Sequence, residues 1–212
     1  MKKFAVLFVL FILPIVAYLF FASGVNNFGK LPTITNAVPD LSNFKSMNGE
    51  KVTLNNKITI LSFPGIEPII NQGNYFNFTE QIYDRNKTFT DFQVILLAPN
   101  GTEDKAKELM KRLTQLTDVS GWHILFASNE EILNYYGSLK LKEKLNKDLG
   151  SNFVHIIDKK RNLRGRKDTD KYKEGYNTFM PSELHNEMTD DVKIILAEYR
   201  FALKRNNNKR KI

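Results

Sequence analysis

The chain has 212 residues, 42% of them hydrophobic and 16 of them Phe, which is enough for one packed domain with a terminal appendage and excludes global disorder. It contains no cysteine, so disulfides, thiol catalysis and thiolate metal sites are excluded. The net charge of +8 belongs to the ends. Lys2, Lys3, Arg200, Lys204, Arg205, Lys209, Arg210 and Lys211 are eight of the 31 basic residues, and the other 23 balance 23 acidic ones. The body therefore has no net field to attract a polyanion, and no nucleic acid is expected as a partner.

Residues 4–22, FAVLFVLFILPIVAYLFFA, are 19 consecutive uncharged residues preceded by Lys2-Lys3. As a helix they reach about 28 Å, close to the hydrocarbon thickness of a bilayer. The expectation is an N-terminal membrane anchor over residues 1–24, with residues 4–22 as one transmembrane helix. The lysines would keep the N-terminus cytoplasmic, and the rest would be extracytoplasmic, periplasmic in a bacterium. The competing reading is a cleaved signal peptide, for which Ala22-Ser23-Gly24 is a passable cleavage site.

Residues 25–37 lack periodicity and read as a linker. The domain proper is expected over 38–205. It opens with an apolar-Pro-Asp entry at Val38-Pro39-Asp40, a Gly49 turn and a short strand Lys51-Val52-Thr53-Leu54. A buried strand follows, Ile58-Thr59-Ile60-Leu61-Ser62-Phe63, which runs out at Pro64-Gly65. Next come a loop and helix over 66–89, with Ile70, Phe78 and Ile82 on one side. The run Phe92–Ala98, ended by Pro99-Asn100-Gly101, reads as a strand buried on both faces. Helical spacing of Ala106, Leu109, Met110, Leu113 and Leu116 predicts a helix over 103–117.

Trp122–Ala127 is the next strand. Ser128-Asn129-Glu130-Glu131 reads as a capping box for a helix through Tyr136, and residues 139–149 as a second short helix. Asn152–Asp158 is a strand that turns through Lys159-Lys160-Arg161-Asn162 into a partner over 163–166. Residues 167–181 read as an inserted loop. Ser182 is expected to cap a closing helix carrying Leu184, Met188, Val192, Ile195, Tyr199 and Ala202 on one face, and residues 206–212 to be a basic, disordered tail. Strands alternating with helices predict an α/β three-layer sandwich.

The order of these elements resembles the thioredoxin superfamily, and two segments narrow it. Trp122-His123-Ile124-Leu125-Phe126 leading into Ser128-Asn129-Glu130-Glu131-Ile132, and Phe153-Val154-His155-Ile156-Ile157-Asp158 with its Lys-Lys-Arg-Asn turn, are similar to the Sco (SenC) family over residues 38–204. The resemblance implies a thioredoxin-like fold with a mixed central sheet behind a membrane anchor. It also implies copper binding by two cysteines four apart and a histidine. Those positions fall near Pro68, Gln72 and Gly150, none of which suits copper. The loop carrying Pro64, Gly65, Pro68 and Gln72 is therefore expected to be a degenerate active-site loop.

What remains is weighed residue by residue. Met180, His185 and Met188 are the candidates for a rebuilt copper site, although Met188 lies in an apolar stripe where methionine ordinarily packs. His123 and His155 read as sheet-face histidines, Glu130-Glu131 as carboxylates in a helix's first turn, and Asp190-Asp191 as a solvated face. Lys159, Lys160, Arg161, Arg164, Arg166 and Lys167 form a possible docking surface for an acidic partner or anionic lipid, set against a solvated hairpin tip. The function expected is a redox-inactive, Sco-like binding or assembly module with a protein partner in the cell envelope. No catalytic residue and no cofactor are assigned. The alternative is a copper-handling protein using the Met/His site.

Overall fold

A computed structural model describes residues 2–23, 30–67, 72–168 and 171–209. The first element is the helix α1 (Lys2–Ser23), with Pro14 inside it. Among the described residues no helix is long and apolar enough to cross a membrane. The expected single-pass anchor over residues 4–22, with its cytoplasmic N-terminus and extracytoplasmic domain, is corrected by this finding. The side chains described in α1 run from Phe8 to Tyr18 and are largely exposed.

The strands follow as β1 (Thr33–Thr35), β2 (Lys45–Ser46), β3 (Ile58–Pro64), β4 (Phe92–Pro99), β5 (Trp122–Ala127), β6 (Gly150–Ile157), β7 (Leu163–Arg164), β8 (Arg166–Asp168), β9 (Lys171–Lys173) and β10 (Tyr176–Asn177). Between and after them lie α2 (Gln72–Phe78), a π-helical turn (Thr79–Tyr83), α3 (Asp84–Asn86), α4 (Glu103–Thr114), α5 (Asn129–Ser138), α6 (Pro181–Glu183), a second π-helical turn (Leu184–Met188) and α7 (Thr189–Lys209).

The main sheet has the order β1-β7-β6-β3-β4-β5-β2, and β10 adds to β6. Its centre, β3-β4-β5, is parallel, and β6, β7, β1, β2 and β10 join antiparallel, so the sheet is mixed. β3 and β4 are buried along their whole length, as their predominantly apolar runs require, with Thr59, Ser62 and Gln93 as the buried polar exceptions.

Alternation along these strands makes two cores. Ile58, Ile60, Val94, Leu96, Trp122, Ile124, Val154 and Ile156 face the helices that carry Phe78, Ile82, Leu109, Leu113, Val192 and Ile195. Leu61, Phe63, Ile95, Leu97, Leu125 and Ile157 face α5 and the entry segment, through Leu41, Val52, Leu54, Ile132 and Tyr136. This is the expected three-layer arrangement.

Several local expectations change, each because a side chain competes with the backbone ladder. Residues 51–54 are not a strand, since the Leu54 N–H donates to Asp40 Oδ1 at 2.7 Å and the Thr53 carbonyl accepts from Gln93 Nε2 at 2.9 Å. The expected linker contributes β1, whose β-branched Thr33-Ile34-Thr35 pairs with β7. Residues 139–149 form turns rather than a helix: Lys140 takes a left-handed φ of 56°, and the Lys142 N–H donates to Glu174 Oε2 at 2.8 Å.

The expected loop over 167–181 is a β8–β9 hairpin followed by β10. Pro181 opens the closing helix in place of Ser182, with Met180 as a cap that supplies no side-chain bond. Helix α7 continues to Lys209, so residues 206–209 of the expected tail are helical, and 210–212 lie outside the described residues. The predicted capping box is present. Ser128 Oγ accepts from the Glu131 N–H at 3.2 Å, and Glu131 Oε2 accepts from the Ser128 N–H at 2.8 Å.

Candidate functional site

The segment where a loop leaves the C-terminal end of β3 is closed from below by backbone. Pro64 pairs with Gly150 across a register shift, and the Ile66 N–H donates to the Asp148 carbonyl at 2.9 Å. Gly65 adopts φ +73° and is buried; a Cβ there would stand 2.7 Å from the Asp148 carbonyl oxygen and 2.9 Å from Gly150 N. Only glycine meets both demands.

The facing turn is built by Asn146, whose Oδ1 accepts from the N–H groups of Asp148 (2.9 Å) and Gly150 (2.8 Å), with Leu149 at φ +59°. Pro64 and Gly65 of the expected degenerate loop are thus a packed backbone junction. Pro68 lies outside the described residues, and Gln72 is the first residue of α2.

Beyond the Asn146 turn, the strand and rim carry a pair of hydroxyls and one ion pair. Ser62 Oγ and the Tyr75 hydroxyl lie 3.1 Å apart, both buried. Burial pushes the Tyr75 phenol up to about 12, against the opposing pull of the Ser62 hydrogen bond. Tyr75 meets Trp122 edge-on with ring centroids 6.2 Å apart. Lys105 pairs with Glu67 at the rim, beside Ile66, which is 37% exposed.

The copper candidates are not brought together. Met188 is fully buried in the core with Leu184 and Val192, whereas His185 and Met180 are exposed. Among the described residues no group of three or more His, Cys, Asp or Glu side chains could hold a metal ion.

His123 is partly buried on β5, with Nδ1 3.9 Å from Glu50 Oε2. Burial, aided by Lys57, holds its imidazole below the ordinary range, although Glu50 opposes. His155 is buried on β6. Its Nδ1 lies 2.9 Å from the Glu174 carbonyl oxygen and its ring meets Phe63 and Tyr136 edge-on. Burial lowers its pKa to about 4, with the Glu174 hydrogen bond opposing.

The basic cluster divides. Arg164 is buried, with Nη1 donating to Asp158 Oδ2 at 2.8 Å, Nη2 to Glu198 at 3.0 Å and Nε to the Leu31 carbonyl at 2.9 Å. Arg166 Nε and Nη2 donate to the two oxygens of Asp191 at 2.9 and 3.0 Å, and Lys159 pairs with Asp91. These three cations hold the domain together, which leaves Lys160, Arg161 and Lys167 of the expected docking surface. Asp191, expected on a solvated face, is 1% exposed and also accepts from the Tyr176 hydroxyl at 2.6 Å.

No family model matches the chain, and no curated protein matches it in sequence. Solved structures do match in fold. A candidate protein disulfide isomerase from Bacteroides thetaiotaomicron superposes with a TM-score of 0.54 at 15% identity, over 82% of this chain and 98% of that one. BsSco, a member of the Sco family of cytochrome c oxidase assembly proteins, gives 0.54 at 17%, over 77% and 95%. Arabidopsis thaliana ScoI, solved with copper bound, gives 0.50 at 16%, over 74% and 98%. The chain shares the thioredoxin-like fold of these proteins, Sco family members among them, and has no cysteine.

Proposed function

We propose that this protein is a binding or assembly module on a thioredoxin-like scaffold, gripping a protein partner at the rim of the β3–α2 loop without thiol redox chemistry. The observation that carries this reading is the backbone closure of Gly65 by Asp148 and Gly150 in a chain without sulfur nucleophiles. A loop base filled in this way offers a surface instead of a reactive group. Half-exposed Ile66, flanked by the Glu67–Lys105 pair, has the apolar-centre, charged-rim character of a contact patch. The assembly role named for the Sco family of BsSco supports the same direction.

The test is a photo-crosslinking residue placed at Ile66 in the full-length protein, with Leu133, 53% exposed on α5, as the control position. One defined crosslinked protein at 66 and none at 133 is expected. Equal or no capture at the two positions would contradict the reading.

A further inference from the structure

The groove between the turn after α3 and helix α7 gathers positive charge over apolar walls. Its volume is about 480 Å³, within the range of small-molecule sites. Half-buried Phe89, Leu196 and Ala197 line it, together with exposed Arg85, Lys193 and Arg200. Lys193, Ala197 and Arg200 recur at helical spacing, which puts them on one side of α7. Among the described residues no acidic side chain lines the groove.

The nearby carboxylates are committed elsewhere: Asp84 to Lys87, Asp91 to Lys159, Asp191 to Arg166 and Glu198 to Arg164. Only Asp190 reaches a groove cation, Lys193 at 3.1 Å, in an exposed pair of the kind that contributes little. Arg85 has no hydrogen bond or ion pair among the described residues. Arg200 stacks on Phe89, its guanidinium carbon 5.8 Å from the ring centroid, and forms no ion pair among them. Asn86 and Thr189 complete the lining, but Nδ2 and the hydroxyl donate to the Ile82 and Leu184 carbonyls. Holding an anion therefore falls to the three cations. Beyond Arg200 the sequence adds further lysines and arginines and no acid.

A bare inorganic anion would leave the apolar walls wet, and a neutral hydrocarbon would leave the cations unused. A ligand with both parts fits. A phosphomonoester carries about two charges and three acceptor oxygens, which suit two guanidinium forks and an ammonium.

We propose that this groove binds a phosphomonoester of an apolar chain, the phosphate held by Arg85, Lys193 and Arg200 and the chain laid on Phe89, Leu196 and Ala197. The site shares no residue with the Ile66 rim, so its failure would leave the partner-binding reading standing.

The test is calorimetric titration of the full-length protein with hexyl phosphate, which is expected to bind saturably. Ethyl phosphate, with four fewer methylenes to bury, is expected to bind at least about tenfold more weakly. Hexyl glucoside, which the exposed apolar side chains of α1 would take up as readily, is the neutral control and is expected not to saturate. Arg85→Gln and Arg200→Gln, both at exposed side chains, should each weaken hexyl phosphate about fivefold, the upper range for an exposed charge pair. The double variant should keep the native urea midpoint and bind about 25-fold more weakly. Sedimentation with phosphatidylcholine vesicles, with and without phosphatidic acid, then identifies the source of the ligand. A gain with phosphatidic acid that the double variant loses marks a lipid headgroup, and no gain marks a free phosphomonoester. No saturable heat, equal binding of hexyl glucoside (apolar uptake only), equal affinity for ethyl phosphate (an adventitious ion only), or unchanged affinity in the double variant would overturn the proposal.

Discussion

Asp158 and Arg164 form a buried ion pair, Oδ2 to Nη1 at 2.8 Å, across the turn that joins β6 to β7. Asp158 also accepts from the N–H groups of Lys160 and Asn162, while Arg164 reaches Glu198 on α7 and the Leu31 carbonyl ahead of β1. One pair thus ties the hairpin, the closing helix and the entry segment together. Burial works against the guanidinium's charge, but Asp158 and Glu198 outweigh it and hold its pKa above the ordinary value. Removing Asp158 by Asp158→Ala leaves this buried charge with Glu198 alone and the turn N–H groups without their acceptor, and is expected to cost about 3–5 kcal/mol. In Asp158→Ala/Arg164→Leu much of that loss should return. Urea unfolding of both variants and of Arg164→Leu closes the cycle; additive costs would show that the pair does not couple.

Gly65→Ala tests the closure of the loop base. A methyl group at φ +73°, 2.7 Å from the Asp148 carbonyl, must push the 148–150 turn away. A loss of at least about 1–3 kcal/mol in denaturant unfolding is expected from the backbone strain and the displaced contact. Gly73→Ala, where a Cβ meets nothing within 4 Å, is the control and is expected to be near neutral. Equal stability of the two variants would show the junction to be loose.

Stability should fall on acidification through His155. Its folded pKa of about 4 lies below the ordinary value near 6.5, so the unfolded chain binds the proton more readily. The contribution is fully present above about pH 6.5 and is lost as the pH falls towards 4. Its slope approaches about 1.4 kcal/mol per pH unit inside that window. His123, also lowered, slopes the same way, so the comparison is between the native protein and His155→Phe. Denaturant midpoints from pH 7 to 4 should fall more steeply in the native protein, and parallel curves would refute the assignment.

Two side chains of the second π-helical turn should respond differently to truncation. Met188→Ala empties a fully buried position and is expected to cost about 2–5 kcal/mol, whereas exposed His185→Ala should stay within about 0.5 kcal/mol. Thermal or urea unfolding separates these. If Cu(I) stabilised the native protein and not His185→Ala, the Met/His reading would regain its footing.

The strands were legible where burial alone decides them. The runs at 58–63, 92–98 and 122–127 are predominantly apolar, and they became β3, β4 and β5. The Ser128–Glu131 cap was legible because both partners are local. Illegible features were those set by distant pairing. Arg164 and Glu198 stand 34 residues apart, and Arg166 and Asp191 stand 25 apart, so a charge run that looked solvated was half internal structure. The β8–β9 hairpin and β10 were hidden by polar composition, since Lys173, Glu183, Glu187 and Asp191 hold them in place of an apolar face. At the candidate site, Gly65 beside Pro64 marked a sharp exit from β3. The turn that fills its base depends on Asn146, over 80 residues later, and no local pattern announces it.

Hydrogen exchange of the full-length protein, alone and with the partner captured at Ile66, tests the central claim most directly. Slowed exchange at the Ile66 and Glu67 amides and at the facing 146–150 turn is predicted, with α5 unchanged. Protection confined to α5 or to the 159–167 hairpin, with the Ile66 rim exchanging as before, would contradict it.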